Sequence, residues 1–195
     1  MTDSITAGLI GFAGALLGAL IVYWTSLSIA RWSRTMDLHR EFNAERMNAA
    51  RSGAFKFMKK HWNKTLLDIS DEDRLDMASV PLWEVVYFYQ RLWALIENNQ
   101  IIASVAPKLF GEVFLWWYVV VFEKRLFGAE WQSAQDIKRL YIWMNKHARR
   151  SDWNDWVKRY DLEQTNLNKR YSRDKQVKPD PKSSTPAPSS ESESQ

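Results

Sequence analysis

The sequence predicts an all-α protein: an apolar N-terminal helix, a compact bundle of about five helices, and a disordered C-terminal tail. Three observations carry this expectation. The stretch Ile5–Ser28, ITAGLIGFAGALLGALIVYWTSLS, holds no charged side chain. From Met47 to Leu167, apolar residues recur at three- and four-residue spacing, the period of a helix buried on one face. Residues 172–195 turn to Pro, Ser and Glu, a composition that cannot bury enough apolar surface to offset the entropy of ordering.

The apolar stretch has the length of a membrane span. At 1.5 Å per residue, about 24 helical residues cover roughly 36 Å, more than the ~30 Å hydrocarbon core of a bilayer. We read residues 5–30 as a single transmembrane helix behind a short external N-terminus, residues 1–4. The opening MTDS lacks the basic n-region of a secretory signal, and the apolar run exceeds the usual h-region. Arg31, Arg34 and Arg40 follow directly. By the positive-inside rule the N-terminus is expected outside and the rest in the cytoplasm, at the cell's inner (plasma) membrane. Tyr23, Trp24 and Trp32, with Arg31 and Arg34, suit the cytoplasmic membrane interface. On a helical wheel Ala7, Gly8, Gly11, Gly14, Ala15, Gly18 and Ala19 share one face, opposite Leu9, Phe12, Leu16, Leu20 and Leu27. Four of the chain's seven glycines lie on that face, and Gly14 and Gly18 form a GxxxG pair. Such a stripe lets helix backbones approach closely in lipid, so self-association or pairing with another membrane helix is expected.

Residues 31–62 form a basic juxtamembrane segment: Arg31–Lys64 holds nine Lys/Arg against three Asp/Glu. Met36, Leu38 and Phe42 continue the anchor helix for a few turns. Asn43 is placed to cap a new helix, Ala44–Trp62, with Met47, Ala50, Ala54, Phe57 and Met58 as its apolar stripe. The cations around that stripe suit anionic lipid of the cytoplasmic leaflet. Residues 63–171 then make the bundle, packing with 31–62. Asn63–Val80 is acidic and reads as a solvated loop. Its Asp71, Glu72, Asp73 and Asp76 lack EF-hand spacing, and Ser70 with Asp73 resembles a capping box.

Pro81 suits a helix start, and Leu82, Val85, Val86, Tyr89, Leu92, Trp93 and Ile96 stripe a helix to Asn98. Ile101 and Ile102 re-enter the core. Ser104 is placed to cap a helix over Val105–Phe127, whose centre, Val113–Phe122, is apolar all round and so belongs inside a bundle or against a membrane. Gly128 ends it. A helix over Glu130–Ala148 carries Ile137, Leu140, Tyr141 and Met144, with Trp131 and Trp143 flanking. Ser151-Asp152 caps a last helix, Trp153–Tyr171.

The chemistry is sparse. The chain has no cysteine, which excludes disulfides and thiolate metal sites. His39, His61 and His147 show no HExxH or other ligand spacing. GAGALLG matches a phosphate loop only in glycine content, and no GxSxG elbow is present. Glu41 with Glu45, and Asp152 with Asp155, are the acid pairs of exposed helix faces. The basic, Trp-rich region around Trp153 and Trp156 lacks a recognised nucleic-acid fold. No enzyme activity, cofactor, metal or nucleic-acid partner is expected.

The residues Leu38-His39-Arg40-Glu41-Phe42, Met47, Ala50-Arg51, Tyr87-Phe88-Tyr89-Gln90-Arg91-Leu92, Leu109-Phe110-Gly111 and Trp116-Trp117 resemble a family of uncharacterised bacterial membrane-anchored proteins, a domain of unknown function. The resemblance spans roughly 35–147. It implies one N-terminal membrane helix, a compact helical domain and a bacterial setting. It implies no activity or catalytic residue. It also suggests Arg51 as a buried ion-pair anchor, with Glu84 or Glu97 as partner.

The functional expectation is a membrane-tethered interaction, scaffold or regulatory module at the cytoplasmic face. Its partners would be anionic lipid and either a second copy or another membrane protein. The alternative is an oligomerising membrane-active effector, a toxin or defence component, prompted by the glycine-rich anchor and the aromatic Val113–Phe122. An unrecognised enzyme, with a cleft lined by carboxylates or histidines, ranks third.

Overall fold

The structure, a computed structural model, describes residues 2–66, 68–69, 77–125 and 131–173. The side chains of residues 2–10, 13, 172 and 173 lie outside that description, as do the Ser70–Asp73 box, Gly128 and the tail beyond Arg173. The described residues are helical, with no strand among them. Six helices follow in order: α1 (Thr2–Asn43), α2 (Glu45–Lys60), α3 (Val80–Glu97, after a 3-10 turn at Met77–Ser79), α4 (Ala106–Trp117), α5 (Gln132–His147) and α6 (Arg150–Arg173). From α4 the chain passes through a π-helical segment, Tyr118–Phe122, into a last turn, Glu123–Arg125.

Helix α1 runs unbroken through 42 residues, ~63 Å at 1.5 Å each. The boundary expected at residue 30 is therefore no structural break. Neither Gly nor Pro occurs between Gly18 and Gly53, so nothing interrupts the backbone ladder there. Its two ends have opposite fates. From Gly11 to Trp24 every described side chain is exposed, and this is the one described helix long and apolar enough to cross a membrane. From Thr35 to Phe42 it joins the domain core: Thr35, Leu38 and Phe42 are buried. Phe42 packs against Phe88 at 5.1 Å and edge-on to Phe110 at 5.5 Å. Burying such a ring contributes about 1.5–3 kcal/mol.

The break comes at Ala44, whose extended backbone (φ −63°, ψ 151°) turns the chain into α2. Asn43 is not the cap. Its amide reaches back to the His39 carbonyl at 2.9 Å, and no side chain caps α2. The stripe Met47, Ala50, Ala54, Phe57 and Met58 is buried as its spacing implies. It packs chiefly on α3, which lies between α2 and α5. The closest approach is at Gly53, where a Cβ would sit 2.9 Å from Pro81 Cγ. A glycine inside a helix costs stability, and this contact is its reason.

Helix α3 ends at Asn98, and Asn99 takes a left-handed conformation (φ 52°) that reverses the chain. Val105, not Ser104, occupies the cap position of α4, again without a side-chain cap. At the start of α6 the Ser151 hydroxyl donates to Asp152 instead of capping, and the helix begins three residues earlier than expected, at Arg150. The apolar run Val113–Phe122 resolves into two parts. Val113 reaches the surface, while Tyr118–Phe122 are all buried against α6 and the aromatic centre. Tyr89, fully buried, ties that centre together with Phe114 at 5.0 Å and Phe122 at 6.0 Å.

The π segment frees backbone carbonyls from the α-helical register. Gln164 donates to the Val119 carbonyl at 2.5 Å and Arg125 to that of Val120 at 2.5 Å. Arg125 is itself buried. Its Nε and Nη2 both donate to the Trp62 carbonyl, at 3.2 and 3.0 Å, and its guanidinium lies 3.9 Å over the Trp62 ring. Burial pushes its pKa down to about 10, which leaves the charge in place at neutral pH. A buried cation is thus held by backbone carbonyls and a ring face, pinning the α2 end to the end of the α4 segment.

Candidate functional site

Two regions of the molecule stand out as candidates. The first is the free length of α1. A Cβ built at Gly11, Gly14 or Gly18 would meet nothing within 4 Å, and Ala15 and Ala19 are exposed beside them. Among the described residues, then, nothing packs on this part of the small-residue face. Ala7 and Gly8, assigned to the same face, lie where side chains are not described. Thr25 is self-satisfied: its hydroxyl donates to the Ile21 carbonyl at 2.8 Å, so it enters apolar surroundings without a stranded donor.

At the interface end, Tyr23 and Trp24 are exposed and meet edge to face at 6.4 Å. Trp32 is exposed too. Arg34 bends onto the domain and donates to Gln100 Oε1 at 3.1 Å. The next residue, buried Thr35, donates to the Arg31 carbonyl at 2.7 Å and accepts the Ile102 N–H at 3.0 Å. These two links hold the α3–α4 loop against α1 just beyond the apolar stretch. Trp24 and Arg31, expected only as interface residues, together line a cleft under that loop.

The second region was missed by pattern reading. At the α1–α2 break a cleft of about 510 Å³ opens, floored by Met47, Tyr87 and Phe88. Its rim carries two ion pairs, Arg46–Glu84 at 2.8 Å and Arg91–Glu41. Only the fold reveals it, because each pair joins residues far apart in the chain. Both carboxylates that line it, Glu41 and Glu84, are engaged by an arginine.

Arg51 is not the buried ion-pair anchor that the resemblance implied. It is half-buried, lies 4.2 Å over the Phe42 ring, donates to Asn48, and makes no ion pair among the described residues. Glu84 is taken by Arg46, and the deeply buried cation is Arg125. Nothing in the sequence marked Arg125, since its partners are main-chain carbonyls. The three histidines have different aromatic neighbours: His39 sits by Phe110, His61 by Phe57, and His147 stacks on Trp143 at 4.2 Å. Among the described residues no group of His, Asp and Glu is arranged to hold a metal.

Burial raises four tyrosines. Tyr118, stacked on Tyr141 at 3.9 Å, and Tyr160, which donates to Glu112, are pushed up to about 12, while Tyr141 and fully enclosed Tyr89 also rise. All four therefore stay neutral at physiological pH and act as core and hydrogen-bonding groups. No family model, curated protein or solved structure matches this chain.

Proposed function

We propose that this chain is a membrane-tethered helical interaction module. In this reading α1 crosses the inner membrane with its N-terminus outside. The domain built by α2–α6 and the C-terminal end of α1 stands at the cytoplasmic face, and the small-residue face of α1 pairs with a second copy. One observation carries the reading: among the described residues nothing lies within 4 Å of a Cβ built at Gly11, Gly14 or Gly18, on a helix whose described side chains from Gly11 to Trp24 are all exposed. Exposed apolar surface of this extent needs lipid or protein to cover it. In lipid, small faces associate because backbones pack closely there. The bacterial setting implied by the resemblance fits an inner-membrane tether.

The chain lacks cysteine, so single cysteines can be scanned along α1 in native membranes. Oxidative dimers are expected at Gly11, Ala15 and Gly18, and not at Phe12, Leu16 or Leu20. Crosslinking at the leucine face, or at no position, would overturn the pairing. The effector reading drew on Val113–Phe122 touching the membrane. Tyr118–Phe122 are buried while Val113 is exposed, so the glycine-rich anchor and the first part of that run are what support it.

A further inference from the structure

The cleft between α1 and the α3–α4 loop combines features that the tether alone does not require. It measures about 520 Å³, within the range of ligand clefts. One wall is α1, offering Trp24, Leu27, Ser28 and Arg31; the other is the loop, offering Asn99 and Ser104 among its polar groups. The lining has one cation and no carboxylate. Its depth along α1 is set by covalent geometry. Trp24 to Arg31 covers about 10 Å of helix axis, and an apolar span that begins near Ile5 reaches the edge of the ~30 Å hydrocarbon core around there. The loop cannot drift from this level, because Thr35 holds Ile102 and Arg34 holds Gln100. In a bilayer spanned from near Ile5 this level of α1 is that of the headgroup layer, with Trp24 one turn nearer the acyl side than Ser28 and two turns nearer than Arg31.

Resting on the tether reading, we propose that this cleft binds one anionic phospholipid of the cytoplasmic leaflet. Its phosphate is held by the Arg31 guanidinium and the Ser28 and Ser104 hydroxyls, and the start of its acyl chains lies on Trp24 and Leu27. Arginine suits phosphate because its planar fork donates two hydrogen bonds at once. A lining without a carboxylate offers no ionic partner to the ammonium of a zwitterionic headgroup, which favours phosphatidylglycerol over phosphatidylcholine.

The test uses the full chain in nanodiscs of mixed phosphatidylcholine and phosphatidylglycerol, followed by native mass spectrometry of the lipid retained on release. One phosphatidylglycerol per chain is expected, in preference to phosphatidylcholine. Arg31→Gln should weaken that retention about fivefold, the worth of one well-placed cation at the membrane surface. Ser104→Leu, which fills the cleft without touching the anchor, should weaken it too. Arg40→Gln removes the same charge from the exposed Arg40–Asp37 pair outside the cleft and should leave retention unchanged. Equal retention of both lipids, equal loss in the Arg31 and Arg40 variants, or displacement by inorganic phosphate would each overturn the site. A chain recovered outside the nanodisc would instead refute the tether. A chain embedded without lipid preference refutes the cleft assignment alone.

Discussion

Replacing Arg125 by methionine isolates the interaction that joins the two halves of the domain. Methionine keeps most of the length and apolar volume but removes all three donors that now reach the Trp62 and Val120 carbonyls. Each carbonyl stranded in the interior costs about 1–3 kcal/mol. Loss of the guanidinium over the Trp62 ring costs up to ~2 kcal/mol for a desolvated pair. Against these stands the recovered desolvation of the cation, itself several kcal/mol for a buried ion. Since the acceptors are main chain and persist in the mutant, the loss outweighs the relief, and a net destabilisation of about 2–4 kcal/mol is expected. For a chain of this size that lowers the melting temperature by roughly 4–16 °C. The assay is thermal unfolding of the full chain in mild detergent, followed by near-ultraviolet circular dichroism, which reports the packed aromatics. Arg125→Lys, a single-point donor unable to span both carbonyls, should fall between. A methionine variant as stable as the parent would refute the reasoning, because it would mean those carbonyls need no donor.

Other expectations follow from the same geometry. Gly53→Ala drives a methyl group to 2.9 Å from the rigid Pro81 ring; overpacking of about 1–3 kcal/mol exceeds the ~1 kcal/mol gain in helix propensity, so urea unfolding should show a modest loss, and a stabilised variant would contradict the α2–α3 contact. Thr35→Val removes the acceptor of the Ile102 N–H and should cost about 1–3 kcal/mol while raising proteolysis at the α3–α4 loop; unchanged protection would show that the loop does not depend on α1. Stability should also decline in alkali. A phenol whose folded pKa is raised contributes full stability below its ordinary value near 10 and loses it as pH rises from there through about 12. Tyr118, Tyr160, Tyr141 and Tyr89 should therefore ionise together with unfolding, seen as coincident tyrosinate absorbance and loss of helicity; ionisation of all four near pH 10 in a still-folded chain would contradict their burial. Gly14→Ile with Gly18→Ile should abolish anchor dimers without altering domain melting, read by crosslinking and circular dichroism on the same preparation.

Helix identity was legible because amphipathic period survives without context: Met47 to Met58 and Leu82 to Ile96 mark their buried faces directly. Helix starts were less legible. Asn43 and Ser151 have capping chemistry, yet local competition sends Asn43 to the His39 carbonyl and Ser151 to Asp152. The π segment was illegible because an all-apolar run such as Tyr118–Phe122 has no period to read. The burial of Arg125 was illegible too, since its carbonyl partners leave no trace in side-chain pattern. The anchor's small face was visible as a stripe. What the structure adds is that none of the described residues covers Gly11, Gly14 or Gly18, and that Trp24 and Arg31 share a cleft with a loop some seventy residues away in sequence.

The central claim, a domain held at the cytoplasmic face by a single crossing, is tested most directly by sidedness. The cysteine-free chain permits single labels at Thr2 and at exposed Ser151. In intact cells stripped of any outer barrier, a membrane-impermeant maleimide should label Thr2→Cys and spare Ser151→Cys until the membrane is opened. Labelling of Ser151→Cys from outside, or release of the protein from membranes by alkaline carbonate, would contradict it.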